Sequence, residues 1–154
     1  MDRSERFDVC VRGTGAVGMS LALALSRQGW QVALQSEPAR AAGPADVRAY
    51  ALSAKSVQLL AELKVWDALA PDARTGVYDM HVEGDAHGAA LDFSAYAQGT
   101  GVLAWIVDAA ELDAVLADAL RFAPHVTRVE HDVPAALLAL ADGKHSASRA
   151  ALGV

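Results

Sequence analysis

Near the start of the chain, two short apolar runs flank a longer run with helical spacing. Residues 7–11 (FDVCV) and 31–34 (QVAL) have the length and composition of buried strands. Residues 19–28 (MSLALALSRQ) have the periodicity of a helix, and Gly29 directly after them is a residue type that commonly ends one. The order strand, helix, strand predicts a βαβ unit, in which the two strands run parallel and the helix covers one face of the sheet.

Two later segments predict helices with polar residues at their starts. Ser53 precedes an apolar stripe over residues 54–63, and Asp108 precedes a longer one over residues 109–123. Side chains of serine and aspartate accept hydrogen bonds from the free N–H groups of a first helical turn, so both residues are expected to be N-caps. A shorter helical turn is expected at residues 67–70, ended by the proline that follows.

The remaining pattern is that of strands. Residues 77–82 alternate in the manner of a half-exposed strand, a glycine-containing turn follows, and residues 90–93 return, which predicts an antiparallel hairpin. Residues 132–140 are ambiguous, because Pro134 favours a helix start whereas the run LLAL fits a buried strand. Two further strands are expected at residues 103–107 and 126–129. We therefore expect one α/β domain over residues 1–154, with a Rossmann-like parallel sheet and a small antiparallel β excursion around the hairpin.

A glycine-rich turn, GTGAVG, joins the first strand to its helix. Gly13 allows the tight turn, Gly15 lets a phosphate approach the backbone, and Gly18 allows close packing of the helix on the strand. The N–H groups of Ala16 and Val17 lie at the positive end of the helix dipole, where an anion is favoured. Set between a strand and a helix, the motif predicts a dinucleotide pyrophosphate site; the alternative is a turn that binds no ligand.

Two positions depart from the standard dinucleotide pattern. The acidic residue that binds the adenosine ribose is expected about 20 residues after the glycines, and that register falls on Ser36, with Glu37 one residue later. Because side chains alternate along a strand, Glu37 reaches the ribose only if the loop bends, and otherwise ribose binding is weak. Arg12, just before the first glycine, either attracts phosphate or blocks the site.

The composition of the chain argues against several classes of function. The net charge is −6 and the chain has no basic stripe, which argues against nucleic acid as a partner. Cys10 is the only cysteine, so an internal disulfide is excluded, and the scattered histidines do not form a metal-ligand pattern. No run approaches the ~18 apolar residues of a transmembrane helix, and the charged N-terminus does not resemble a signal peptide. A cytoplasmic protein is expected.

Three further segments carry a second signal: residues 46–53 (DVRAYALS) with Ser56 and 65–69 (VWDAL), residues 103–108 (LAWIVD) with Leu112, and residues 138–149 (LALADGKHSASR). In this order they resemble the flavin-dependent aromatic hydroxylases of ubiquinone biosynthesis, which share a superfamily with para-hydroxybenzoate hydroxylase. Together with the glycine motif, the matching segments cover nearly the whole chain.

The resemblance implies an FAD-binding fold, with a flavin that is reduced by NAD(P)H and reacts with O₂ to hydroxylate a small aromatic ring such as a quinone precursor. It implies that the glycine motif holds the FAD pyrophosphate and that Arg48 lies near the flavin's phosphates, because a guanidinium donates two hydrogen bonds at once. It also implies that Asp142 and Gly143 approach the pyrophosphate and the nicotinamide nucleotide, with Arg149 on the same side. For Arg48 the alternative is a solvated loop residue, and for Asp142 and Gly143 it is an ordinary turn.

The resemblance also shows where this chain departs from the family. Ala109 stands where the family tends to place a polar residue near the flavin. The family continues with a substrate domain and a second flavin-binding segment, so the chain is expected to be a truncated, N-terminal FAD-binding part. Peripheral membrane association, homo-oligomerisation and pairing with a missing C-terminal domain stay open. A second hypothesis, of a different class, is a nucleotide-binding or interaction module without catalysis of its own.

Overall fold

The computed structural model describes residues 6–36, 47–143 and 146–153. These residues form nine strands and four α-helices, in chain order β1 (Phe7–Arg12), α1 (Ala16–Arg27), β2 (Val32–Gln35), β3 (Ala49–Leu52), α2 (Ala54–Glu62), β4 (Arg74–Val77), β5 (Asp79–Glu83), β6 (Ala90–Ser94), β7 (Ala104–Asp108), α3 (Ala109–Leu120), β8 (Val126–Val129), β9 (Ala135–Leu140) and α4 (Ala147–Ala151).

The chain divides into two compact units, the first made of Met1–Ala45 and Asp113–Val154, the second of Asp46–Leu112. In the first unit, four strands form one parallel sheet in the order β8-β2-β1-β9. The parallel sheet expected from the βαβ pattern is therefore confirmed.

The two central strands of this sheet, β1 and β2, form its core. At most 3% of the surface is exposed at six of their residues: Val9, Cys10, Val11, Val32, Ala33 and Leu34. Such continuous apolar runs are typical of parallel strands that are covered on both faces. At the carboxyl edge Arg12 pairs with Gln35 on β2 and with Leu140 on β9, so three strands end side by side.

Helix α1 begins earlier than its apolar pattern predicts. It starts at Ala16 rather than at residue 19, because the end of the glycine motif forms its first turn. The helix buries Met19, Ala22 and Leu23. Gly29 follows with a φ of +84°, which is left-handed backbone that favours glycine.

The second unit is antiparallel. Three strands form a sheet in the order β3-β7-β4, and β5 and β6 form the expected hairpin. The single strand expected at residues 77–82 is wrong: β4 ends at Val77 and pairs with β7, whereas β5 begins at Asp79 and pairs with β6. Tyr78 thus separates strands of two different sheets. Strand β3 has no counterpart in the sequence prediction.

Both predicted helix caps are confirmed. The Oγ of Ser53 accepts a hydrogen bond from the Ser56 N–H at 3.3 Å, at the start of α2. The Oδ1 of Asp108 accepts one from the Glu111 N–H at 2.9 Å, at the start of α3. Helix α3 ends at Leu120, before the expected residue 123.

Two other segments bear on the sequence predictions. The first differs from its prediction, and the second resolves an ambiguity. The turn expected at 67–70 is a 3₁₀ turn at Trp66–Ala68, and Pro71 begins a second such turn rather than ending the first. The expectation of a buried strand is wrong in one respect, since Leu137, Leu138 and Leu140 are exposed, but residues 135–140 do form a strand, β9, and not a helix. Pairing with β1 decides this, and Pro134 fits the pairing because its carbonyl accepts the Phe7 N–H at 3.2 Å.

Candidate nucleotide site at the first strand–helix turn

Gly13 has no room for a side chain. Its φ is +115°, a conformation that L residues rarely adopt. A Cβ built on this residue would collide with the carbonyl of Ala141 and lie 2.8 Å from the backbone nitrogen of Asp142. The segment that follows β9 therefore packs directly on the glycine turn.

Gly18 is equally confined. A Cβ at this position would collide with the carbonyl oxygen of Gly13 and lie 3.4 Å from the Cβ of Ala141. Gly18 therefore allows the first turn of α1 to lie against the end of β1, the close packing of helix on strand that the motif predicts.

Gly15 differs from both of these glycines. It is the N-cap of α1, with φ −78° and ψ 177°, which is extended backbone that any residue adopts. No described atom of the chain lies within 4 Å of its Cβ position, apart from the adjoining residues. No side-chain cap is formed at this helix start by the described residues. Neither conformation nor packing of the described chain requires glycine here, and the turn stays open.

Asp142 and Gly143 follow β9 at the same edge. The Ala141 N–H donates to the carbonyl of the last residue of β1 at 2.7 Å, and Asp142 comes next. Hydrogen bonds from the hydroxyl of Ser146, and then from that of Ser148, lower the pKa of Asp142 below its usual value, since they stabilise the carboxylate. Gly143 has a φ of +77°, so this is a glycine-dependent turn. The structure thus brings the predicted Asp–Gly pair to the glycine motif.

Arg12 forms a polar cluster at this edge. Its Nε donates to Oε1 of Gln35 at 3.0 Å, its Nη1 to Oγ of Ser148 at 2.9 Å, and its Nη2 to Oδ1 of Asp132 at 2.6 Å. The Nε2 of Gln35 also donates to Asp132, at 3.0 Å. These hydrogen bonds, led by the one from Gln35, lower the pKa of Asp132. None of the atoms of Arg12 lies within 4 Å of the Gly15 Cβ position.

Sequence reasoning missed the partners of Arg12. The available signal was Gln35, a polar residue that ends an apolar strand and is buried in the structure. Cys10 lies next to it, with its Sγ 3.8 Å from Gln35 Oε1, and burial raises the pKa of this thiol. The expectation of a buried cysteine is confirmed.

A family model for FAD-binding domains matches residues 6–128 of the chain. The chain belongs to this family of FAD-binding domains. The resemblance seen in the sequence is therefore confirmed at the level of the family, and FAD is the cofactor that the family binds.

Relatives of this FAD-binding domain are hydroxylases and monooxygenases. The 3-demethoxyubiquinol 3-hydroxylase of Escherichia coli (strain K12) is 35% identical over 137 residues, which are 86% of this chain and 34% of that protein. The p-nitrophenol 4-monooxygenase of Pseudomonas putida DLL-E4 has a TM-score of 0.71 at 20% identity, over 97% of this chain and 44% of that one. Aklavinone-11 hydroxylase, solved with FAD and aklavinone, has a TM-score of 0.63 at 22% identity, over 96% and 35%. The chain thus spans about a third of the length of the curated relative.

The β2 edge of this FAD-binding domain carries Ser36 at the register of the ribose-binding acid. The Ser36 N–H donates to the carbonyl of Val129 at 3.1 Å, which extends the β2–β8 pairing by one residue. Its side chain is half-buried. Glu37, the alternative residue for the ribose, lies outside the described residues.

Arg48 lies in the second unit, directly before β3. Its guanidinium carbon is 5.9 Å from the centroid of the Tyr50 ring, which is cation–π range. Its carbonyl accepts the Ala109 N–H at 3.1 Å. Ala109, the residue that departs from the family pattern, is fully buried.

Two other kinds of site were sought in the part of the chain that the structure describes. It contains no group of three or more His, Cys, Asp or Glu side chains that could hold a metal ion. Of its helices, none has both the length and the apolar character needed to cross a membrane.

Proposed function

We propose that this FAD-binding domain holds the pyrophosphate of FAD at the turn between β1 and α1. The observation that carries the proposal is the contrast among three glycines of one motif. Gly13 and Gly18 are required by the chain, because a Cβ at either position would collide with backbone. Gly15 is required by none of the described residues, so its missing side chain is explained by space for a ligand.

The electrostatics of the same turn suit a diphosphate. The first N–H groups of α1, on Ala16, Val17 and Gly18, have no acceptor within the helix, and the helix dipole gives this end a partial positive charge. The first turn, which is described throughout, carries no acidic residue. An anion gains about 0.3–2 kcal/mol from the dipole at such a position, in addition to its hydrogen bonds.

Further contacts complete the proposed site. We assign Asp142 and Gly143 to the pyrophosphate side, because their segment adjoins the glycine turn. Ser36 and Glu37 are assigned to the adenosine ribose by their register after β2. The family resemblance alone assigns Arg48 to the flavin's phosphates, to which a guanidinium can donate paired hydrogen bonds.

The wider function proposed for this domain is that of the FAD-binding part of a flavin-dependent monooxygenase. FAD held by this chain would, once reduced by NAD(P)H, react with O₂ and so supply the oxygen atom that hydroxylates an aromatic ring. The relative with 35% identity is named for the hydroxylation of a ubiquinone precursor, so we propose such a precursor, or another small aromatic compound, as the substrate. The residues of this chain bind and orient the cofactor. A cytoplasmic setting is proposed with it, in keeping with the single, unpaired thiol.

Replacing Gly15 with aspartate tests the location of the pyrophosphate. Aspartate is a favoured N-cap and its charge suits this end of a helix, so Gly15→Asp should keep the stability of the fold. The carboxylate would take the helix N–H groups and repel a diphosphate. FAD affinity should therefore fall by about 100-fold, the effect of losing two hydrogen bonds to a charged group. Fluorescence titration with FAD and thermal unfolding of the same samples measure the two quantities.

The matched control is Gly101→Asp. Gly101 also has open space around its Cβ position and no left-handed φ, but it lies in the second unit. This variant should bind FAD like the unaltered chain. A Gly15→Asp chain that melts normally and retains full FAD affinity would place the pyrophosphate elsewhere. An unaltered chain that takes up neither FAD nor a nicotinamide nucleotide would support the hypothesis of an interaction module.

A further inference from the structure

Arg12 is an unusual residue for the end of a buried apolar strand, and the structure shows what its side chain does. The guanidinium donates from Nε, Nη1 and Nη2 to three different side chains, on β2, on α4 and in the loop between β8 and β9. Only 27% of the Arg12 side chain is exposed, and its hydrogen bonds to Gln35 and Ser148 are partly shielded from water, whereas the one to Asp132 is exposed. One side chain therefore links three segments that are distant in sequence.

The backbone of the same residue holds the segment that packs on the glycine turn. The Arg12 carbonyl accepts the Ala141 N–H at 2.7 Å, and the Arg12 Nη1 donates to Ser148 Oγ at 2.9 Å. Arg12 thus binds the chain at residue 141, where it leaves β9, and again at residue 148, in α4. Asp142 lies between these two attachments, next to Gly13.

Ser148 is the side chain through which the guanidinium reaches the far end of this segment. Its hydroxyl oxygen accepts from Arg12 at 2.9 Å, which leaves the hydroxyl hydrogen to donate to another acceptor. Ser148 also lies close enough to Asp142 to help lower the pKa of that carboxyl. The Arg12 side chain and the Arg12 carbonyl therefore hold the two ends of the segment that contains Asp142.

We propose that Arg12 is a positioning residue for the FAD pyrophosphate site, and that it acts through Ser148 to hold the segment of Ala141 and Asp142 against Gly13. The proposal rests on the proposed function, because it assumes that the pyrophosphate binds at the glycine turn. Arg12 itself is given no contact with the cofactor, since three of its five N–H donors, one from each nitrogen, are bonded within the chain.

The shape of the guanidinium explains why arginine stands here. Its planar fork points fixed donors in three directions at once, whereas a lysine ammonium is a single point charge on a flexible stem. Methionine has a similar length and no donor. Arg12→Met should therefore remove all three links, and Arg12→Lys should restore only part of the lost function.

The experiment measures FAD affinity and thermal stability for three variants of the full chain. Arg12→Met should weaken FAD binding about tenfold, because the segment that contains Asp142 would lose its side-chain attachment at residue 148. Arg12→Lys should lie between Arg12→Met and the unaltered chain. Arg121→Met is the matched control, since Arg121 forms an exposed pair with Asp118, and its FAD affinity should stay within about twofold.

A double-mutant cycle with Ser148→Ala separates positioning from general support of the fold. If Arg12 acts through Ser148, Ser148→Ala should weaken FAD binding by itself, and Arg12→Met should then cause a loss of about threefold or less in the Ser148→Ala background. Ser148→Thr, which keeps the hydroxyl, should bind FAD like the unaltered chain. Should Arg12→Met fail to fold, the Ser148 variants decide the question without it.

Two results would overturn the proposal. One is a Ser148→Ala chain with unchanged FAD affinity; the other is a loss on Arg12→Met that has the same size in both backgrounds. Either result leaves the proposed function intact as long as Gly15→Asp abolishes FAD binding. Retained binding by Gly15→Asp would instead remove the proposed function itself.

Discussion

The central strands of the first unit and the hairpin of the second unit use apolar residues in opposite ways. In the parallel sheet of the first unit, Leu34 is fully buried, and its neighbours on β1 and β2 are nearly so. In the hairpin of the second unit, β5 and β6 bring Met80 opposite Phe93 and Val82 opposite Leu91, yet all four side chains are exposed, with Leu91 at 63%. Apolar composition alone therefore does not identify the core of this chain. The core is identified by the number of layers of structure that cover a strand.

The difference in burial between the two regions can be tested by replacing one leucine in each of them with alanine. Leu34→Ala should lower the free energy of unfolding by about 2–5 kcal/mol, because it leaves a cavity in a packed sheet. Leu91→Ala should change it by no more than about 0.5 kcal/mol, because the side chain is already in water. Urea unfolding followed by circular dichroism measures both. Equal losses would mean that the hairpin is covered in solution.

A second prediction compares a glycine that is confined by the chain with one that is not. Gly18→Ala should destabilise the fold by about 1–3 kcal/mol, the usual effect of forcing extra atoms into a packed site, because its Cβ would collide with the carbonyl of Gly13. Gly101→Ala, in the second unit, should leave stability unchanged or slightly raised, since its Cβ position is open. Melting temperatures of the pair test this. A stable Gly18→Ala chain would show that α1 can shift away from β1.

The smallest expected effect is a pH dependence of the free energy of unfolding, which comes from Asp132 in the first unit. The pKa of Asp132 is below its usual value of 3.8 in the folded chain, owing to hydrogen bonds from Gln35 and Arg12. A lowered pKa in the folded state stabilises the fold above the usual pKa, and this contribution is lost as the pH falls through the lowered one. The difference in unfolding free energy between the unaltered chain and Asp132→Asn should therefore be constant near neutral pH and shrink below about pH 4. A difference that does not change with pH would mean that the carboxylate is not stabilised by folding.

The first strand, helix and strand could be predicted from sequence because their signals are local. Periodicity and glycines lie within about 30 residues, the length of one βαβ unit. The helix caps at Ser53 and Asp108 were predictable for the same reason, since a cap bonds the third residue after it. The start of α1 moved by three residues, because apolar spacing does not show that Ala16 is already helical.

The antiparallel unit could not be predicted equally well, because its strands are defined by distant partners. The alternation of β4 continues through Tyr78 into β5, although β4 pairs with β7 and β5 with β6. Strand β3 exists because β7 pairs with it, and its own sequence, AYAL, carries a weak pattern. The Arg12 cluster was hidden for a similar reason, since Asp132 and Ser148 lie more than one hundred residues further along the chain.

The contact of Ala141 with Gly13 has a consequence for how the domain is made. Gly13 leaves the ribosome early, but the carbonyl that closes on it belongs to a residue synthesised much later. Contacts between such distant residues form late in folding, because the intervening chain must first be ordered. A nascent chain therefore carries an incomplete glycine turn, and the site proposed for FAD is completed only after translation has passed residue 141.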